Sequence, residues 1–161
     1  MLLRLCFWLQ HNSWLLAVNS SVPVSAALEA AHYAGFFLLV GSIAIVDLRL
    51  LGAAGRGQSP SELARQLFPW TWTGFAFTLV SGFFMFSGDA VDFYRAPIFR
   101  VKLLVILLAV IFGLLVQWKV PQWDRPPAIP LGAKLAAFLS LALWIGAILA
   151  SVEVPAISGV G

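Results

Sequence analysis

Residues 25–48 read SAALEAAHYAGFFLLVGSIAIVDL, an almost unbroken apolar run whose only carboxylates and imidazole are Glu29, His32 and Asp47, near its two ends. About 20 mostly apolar residues make a helix long enough to cross a hydrocarbon core of about 30 Å. This stretch therefore reads as a membrane span, and three more resemble it: Phe68–Ser87, Phe99–Trp118 and Leu131–Val152. Each is long enough to satisfy its whole backbone internally, as lipid demands. No series of alternating segments of about ten residues occurs, which argues against a transmembrane β-barrel.

Composition points the same way. The chain has 161 residues, 61% apolar and 11% charged, whereas soluble domains average about 45–50% and about 25%. Mean hydropathy is +0.93. A water-soluble domain is excluded, and so is disorder, which needs low hydrophobicity and high charge. The net charge of +3 is scattered, without a Lys/Arg run, so nucleic acid is not an expected partner. The single cysteine, Cys6, has no mate for an internal disulfide or a zinc site. The expected fold is all-α: one domain over residues 1–161, an integral membrane four-helix bundle in contact with the lipid bilayer.

Residues 2–18 differ from the spans. Two apolar runs, Leu2–Leu9 and Trp14–Val18, flank Gln10, His11, Asn12 and Ser13. Arg4 ahead of a short apolar run also suits a signal peptide, but the segment is read as retained, an amphipathic helix lying in the interface. Between the first two spans, Ser59-Pro60-Ser61-Glu62 has the form of a capping box with proline at the first helical position. It should start a short interfacial helix that feeds the second span near Pro69. Pro97 should open the third span, and the four prolines between Lys119 and Pro130 should keep that connection extended. Trp70, Trp72, Trp118 and Trp123 fall at one expected membrane face, with Phe93 and Tyr94 at the other, as in an aromatic belt.

Four spans put both termini on one side. That side, with the loop 88–102, carries Arg4, Arg95, Arg100 and Lys102; the other carries Arg49, Arg56, Arg65, Lys119, Arg125 and Lys134. The excess of positive charge places the second side in the cytoplasm. The expected location is a bacterial inner membrane with periplasmic termini.

Charged groups within a span cost about 2.5–3.5 kcal/mol each on insertion scales. At 3.6 residues per turn, Glu29, His32, Phe36, Val40, Ile43 and Asp47 share one stripe, which should face the other helices. Lys102 enters the third span from the same side, within one or two turns of the depth of Glu29 and His32. Two readings stand. In one, Glu29 pairs with Lys102, His32 hydrogen-bonds a neighbouring helix, and Asp47 pairs with Arg49 or caps the interface. In the other, Glu29, His32 and Lys102 form a cofactor pocket, with His32 as a metal ligand, most naturally to the iron of a haem b. The only other histidine, His11, lies outside the spans. The fourth span offers the small-residue pairs Ala136/Ser140 and Gly146/Ala150, which allow close packing within the bundle or against a partner subunit. Trp144 reads as a packing group. No nucleophile elbow, phosphate loop or HExxH motif is present.

The runs Glu29-Ala30-Ala31-His32, Leu39–Gly52, Ser61–Trp70 and Phe99-Arg100-Val101-Lys102-Leu103 together resemble an uncharacterised bacterial family of small four-span membrane proteins, over nearly the whole chain. That family carries no assigned activity. More distantly, a histidine in the first span and a lysine opening the third are similar to the four-helix membrane protoporphyrinogen oxidases and copper-resistance membrane proteins. That likeness implies haem or copper at His32 and Lys102. Members often carry a histidine near the end of the third span, where this chain has Gln117, so a second ligand is missing. Without a full catalytic set, the expected role is an accessory, non-catalytic subunit packing with other membrane subunits in a larger, energy-transducing complex. The alternative is a haem-binding or redox membrane protein that uses His32.

Overall fold

The computed structural model describes residues 1–54, 57–124 and 128–158, with side chains up to 151. Seven helices follow one another: α1 (Leu2–Gln10), α2 (Ser13–Ser20), α3 (Val22–Leu51), α4 (Pro60–Gly88), α5 (Ala90–Arg95), α6 (Pro97–Trp123) and α7 (Leu131–Ser158). The described residues contain no strand. Arg56 and Arg125, which were counted for orientation, lie outside the described residues, as do Pro126 and Pro127 of the connection expected to be extended.

Local chemistry sets most helix ends. Gly52, at φ 79°, closes α3 in the left-handed conformation that glycine adopts without a Cβ penalty. The capping box at α4 is closed in both directions: Ser59 Oγ accepts from Glu62 N–H at 3.2 Å, and Glu62 Oε2 accepts from Ser59 N–H at 3.1 Å. Pro97 opens α6 as expected.

Three expectations need correction. The N-terminal segment is two helices rather than one, because Asn12 Oδ1 accepts from Trp14 N–H and Leu15 N–H at 3.1 and 3.3 Å and starts α2 afresh. No separate short helix precedes Pro69. Helix α4 runs straight through it, since proline removes one hydrogen bond and leaves the turns on either side intact. Residues 119–123 are helical rather than extended. Val120, 1% exposed, completes a cluster with Leu50, Val116, Ala133 and Ala137, and that burial outweighs the bond lost at Pro121.

Three helices, Val22–Leu51, Pro97–Trp123 and Leu131–Ser151, are long and apolar enough to cross a membrane, which marks the chain as a membrane protein. Helix α4, equally long, falls short of that apolarity. Its polarity, however, is turned inward: Thr71, Gly74, Ser81 and Ser87 are buried, whereas Phe68, Trp70, Phe77, Leu79, Val80 and Phe83 are exposed.

The long helices pack α4 on α3, α3 on α7, and α7 on α6, with a lighter α4–α6 contact. At the end of the bundle where α4 gives way to α5, helices α1 and α2 cover its tip through Cys6, Leu9 and Leu15 against Ala90. Polar bonds fasten this cover: Gln10 Oε1 accepts from Val91 N–H, and Asn19 Nδ2 donates to Ser87 Oγ, both at 3.1 Å.

Candidate functional site

The polar residues of the spans meet along one seam. Up α3 run His32, Gly35, Leu39 and Ser42; down α4 run Ser81, Thr78, Gly74 and Thr71. Every step of three or four residues on one helix is matched on the other, as antiparallel packing with a 3-4 repeat requires. A Cβ on Gly74 would lie 2.6 Å from Gly35 O and Leu39 N; one on Gly35 would lie 2.9 Å from Thr78 N. The two backbones are therefore in contact, which only glycine permits. Beyond this crossing, Ser42 Oγ and Thr71 Oγ1 share a hydrogen bond of 2.8 Å.

His32 closes the other end of the seam. Its Nδ1 stands 3.1 Å from Ser81 Oγ, and its ring edge lies where a Cβ on Gly82 would be 3.0 Å from Cε1. Ser81 spends its own proton on Phe77 O at 2.5 Å. The hydrogen-bond pattern thus assigns the imidazole proton to Nδ1, which donates to Ser81, and leaves the lone pair on Nε2. Lys102, half-buried on α6, lies within electrostatic range of this ring.

Glu29 departs from expectation. Its side chain is exposed, and among the described residues no ion pair joins it to Lys102. Lys102 acts on His32 only through space, without a hydrogen bond, and Glu29 stays apart from both. Asp47, at the far end of the same stripe, is 1% exposed and faces Ser140 of α7, with Asp47 Oδ2 and Ser140 Oγ in no hydrogen bond. It makes no pair with Arg49, whose Nε donates to Gln58 O at 2.7 Å. The stripe is thus buried at one end and open at the other. Helices that cross at an angle cover a face only near their crossing.

On α7 the buried seam is Ala133, Ala137, Ser140, Trp144 and Ala147. Of the expected small-residue pairs, only Ser140 belongs to it; Ala136, Gly146 and Ala150 are half-buried. Trp144 is 2% exposed and meets Phe36 edge-on at 6.4 Å. It also borders a cleft of about 30 Å³ lined by Leu39, Thr71, Phe75, Gly113 and Gln117. His32 does not line that cleft, and cofactor pockets are typically about 300–1,000 Å³. The interior at this level has no room for a porphyrin. Among the described residues, no three of His, Cys, Asp and Glu gather as metal ligands.

Sequence reasoning missed the α3–α4 seam. Its signal was available as small or hydroxyl residues recurring at Thr71, Gly74, Thr78 and Ser81, opposite Gly35 and Ser42. No curated protein and no solved structure matches the chain. Residues 20–154, which contain all four long helices nearly end to end, match a single family description, and the chain belongs to that family of unknown function, DUF6644.

Proposed function

We propose that this protein is an accessory, non-catalytic subunit of a larger bacterial membrane complex of the energy-transducing kind. In this reading it crosses the inner membrane four times as a helical bundle, with its termini on the periplasmic side and α1–α2 lying in the interface. The inward polarity and outward aromatic face of α4 support a fourth span, because a helix facing lipid exposes its apolar side and hides its hydroxyls. The outward face of α1, with Leu2, Leu3, Leu5, Phe7 and Trp8 exposed, suits an interfacial helix.

One observation carries the subunit role: Glu29 is exposed and has no ion pair among the described residues, about one turn inside the expected start of the first span. A carboxylate on the outer face of a span is costly unless a partner group meets it. The inner polar groups support the same reading, since His32, Ser42, Thr71 and Ser81 are engaged in helix–helix contacts. The test is purification of the native protein in a mild detergent. Co-migration with other membrane subunits is expected. Glu29→Ala should release the chain while its helical circular dichroism stays unchanged. A native chain that runs alone as a monomer refutes the proposal.

One observation favours a second reading, in which His32 binds haem b: Nδ1 is held at 3.1 Å from Ser81 Oγ, and in the Nδ1–H tautomer Nε2 carries the lone pair that axial histidines use. Lys102 would then meet a propionate. The internal cleft does not supply the volume, so a porphyrin would have to sit outside it. The absorption spectrum separates the readings. A subunit without haem shows no Soret band, and a band abolished by His32→Ala would replace the first proposal with the second.

A further inference from the structure

We propose that Asp47 is a protein-buried proton-binding site near the end of the first span, its carboxyl set between α3 and α7 opposite the Ser140 hydroxyl. Asp47 is 1% exposed, next to Val46 and Leu50 in an apolar cluster that α6 and α7 complete with Val116, Val120, Ala133 and Ala137. Among the described residues, which leave out Arg56 and Arg125, no ion pair reaches it. On its own helix, Arg49 is bonded to Gln58 O. On the helices around it, Arg65 of α4, Lys119 of α6 and Lys134 of α7 are exposed. The acids at this end are engaged elsewhere: Glu62 in the capping box and Asp124 with Ser61 N–H at 3.3 Å. His32 and Lys102 lie toward the opposite end of the bundle.

An ionised carboxylate in such surroundings costs several kcal/mol unless it is paired. Burial removes the water, and the described residues supply no cation, so we take the charge to be cancelled on the carboxyl itself. A hydronium ion gives one proton to a carboxylate oxygen and leaves as water. The resulting O–H has the buried Ser140 hydroxyl facing it, a group that accepts from the neutral acid and can equally donate to the carboxylate. Trp144 Nε1, one turn further along α7, is likewise buried and unbonded. Trp144 also lines the cleft that contains Thr71 and Gln117, and waters entering there would come within a turn of Ser140. Ionisable groups held inside spans characteristically mark proton or ion sites. Of the two carboxylates in this span, Asp47 is the one that the protein itself buries, whereas Glu29 is exposed on the outer face.

The test is infrared spectroscopy of the full-length protein in lipid nanodiscs at neutral pH. A carbonyl stretch of a protonated carboxylic acid is expected, lost in Asp47→Asn and unchanged by sodium. In Ser140→Ala the band should persist at a shifted frequency. Absence of the band in the wild type, its survival in Asp47→Asn, or its disappearance on adding sodium (a bound cation in place of the proton) overturns the proposal. Should Asp47→Asn fail to fold, Ser140→Ala still decides, because a band that does not move is not the carboxyl facing Ser140.

Discussion

Replacing Gly74 by alanine tests the seam at its tightest point. The new Cβ would lie 2.6 Å from Gly35 O and Leu39 N, against the 3.4 Å at which contact becomes ordinary, so α3 and α4 must separate locally by about 0.8 Å. Both opposing atoms belong to the backbone, and no side-chain rotation can relieve the clash. Thr71 and Ser42 lie one turn away, joined by a bond of 2.8 Å. The same separation would stretch that bond beyond hydrogen-bond length. Overpacking costs about 1–3 kcal/mol, and a hydrogen bond between membrane helices averages about 0.6 kcal/mol. Gly41→Ala is the matched control, because a Cβ there meets nothing within 4 Å. The gain in helix propensity, about 1 kcal/mol in water, is common to both variants and drops out of their difference. Gly74→Ala should therefore be less stable than Gly41→Ala by roughly 2–4 kcal/mol. Reversible unfolding in mixed detergent micelles, followed by circular dichroism, measures the gap. Equal stability of the two variants would refute close backbone contact at Gly35 and Gly74.

Two further outcomes follow from particular contacts. Trp144→Ala removes the largest fully buried side chain among the described residues and should cost about 3–5 kcal/mol in the same unfolding assay, with the cleft beside Thr71 and Phe75 enlarged. Ser59→Ala opens the capping box at α4 and should cost about 0.5–2 kcal/mol. Because it acts on the first turn alone, hydrogen exchange should accelerate at Glu62 N–H while the α3–α4 seam keeps its protection.

Several parts of the fold were legible from neighbouring residues alone. The capping box needs only Ser59 and Glu62 three residues apart, and the start of α6 needs only Pro97, so both were read correctly. The connection after Lys119 was misread, although its prolines were plain, because the helical turn ending at Trp123 is held by Val120 packing on Leu50 and Ala133, residues far away in the chain. The candidate site was legible only as a set of residue types. Glu29, His32 and Asp47 fall on one helical stripe by periodicity, yet they have three different surroundings: open to the outside, bonded to Ser81, and sealed against Ser140.

By itself the sequence determined that this is a helical membrane protein, the apolar centres of its long helices, and which few ionisable groups lie within them. Those properties depend on apolar length and on local capping, which act within a turn or two of each residue. Only the tertiary structure decided that the seam of α4 faces α3, that Gly74 touches the backbone at Gly35, and that Asp47 rather than Glu29 is the buried acid. Helical periodicity defines a face but not what covers it, and coverage depends on where two helices cross.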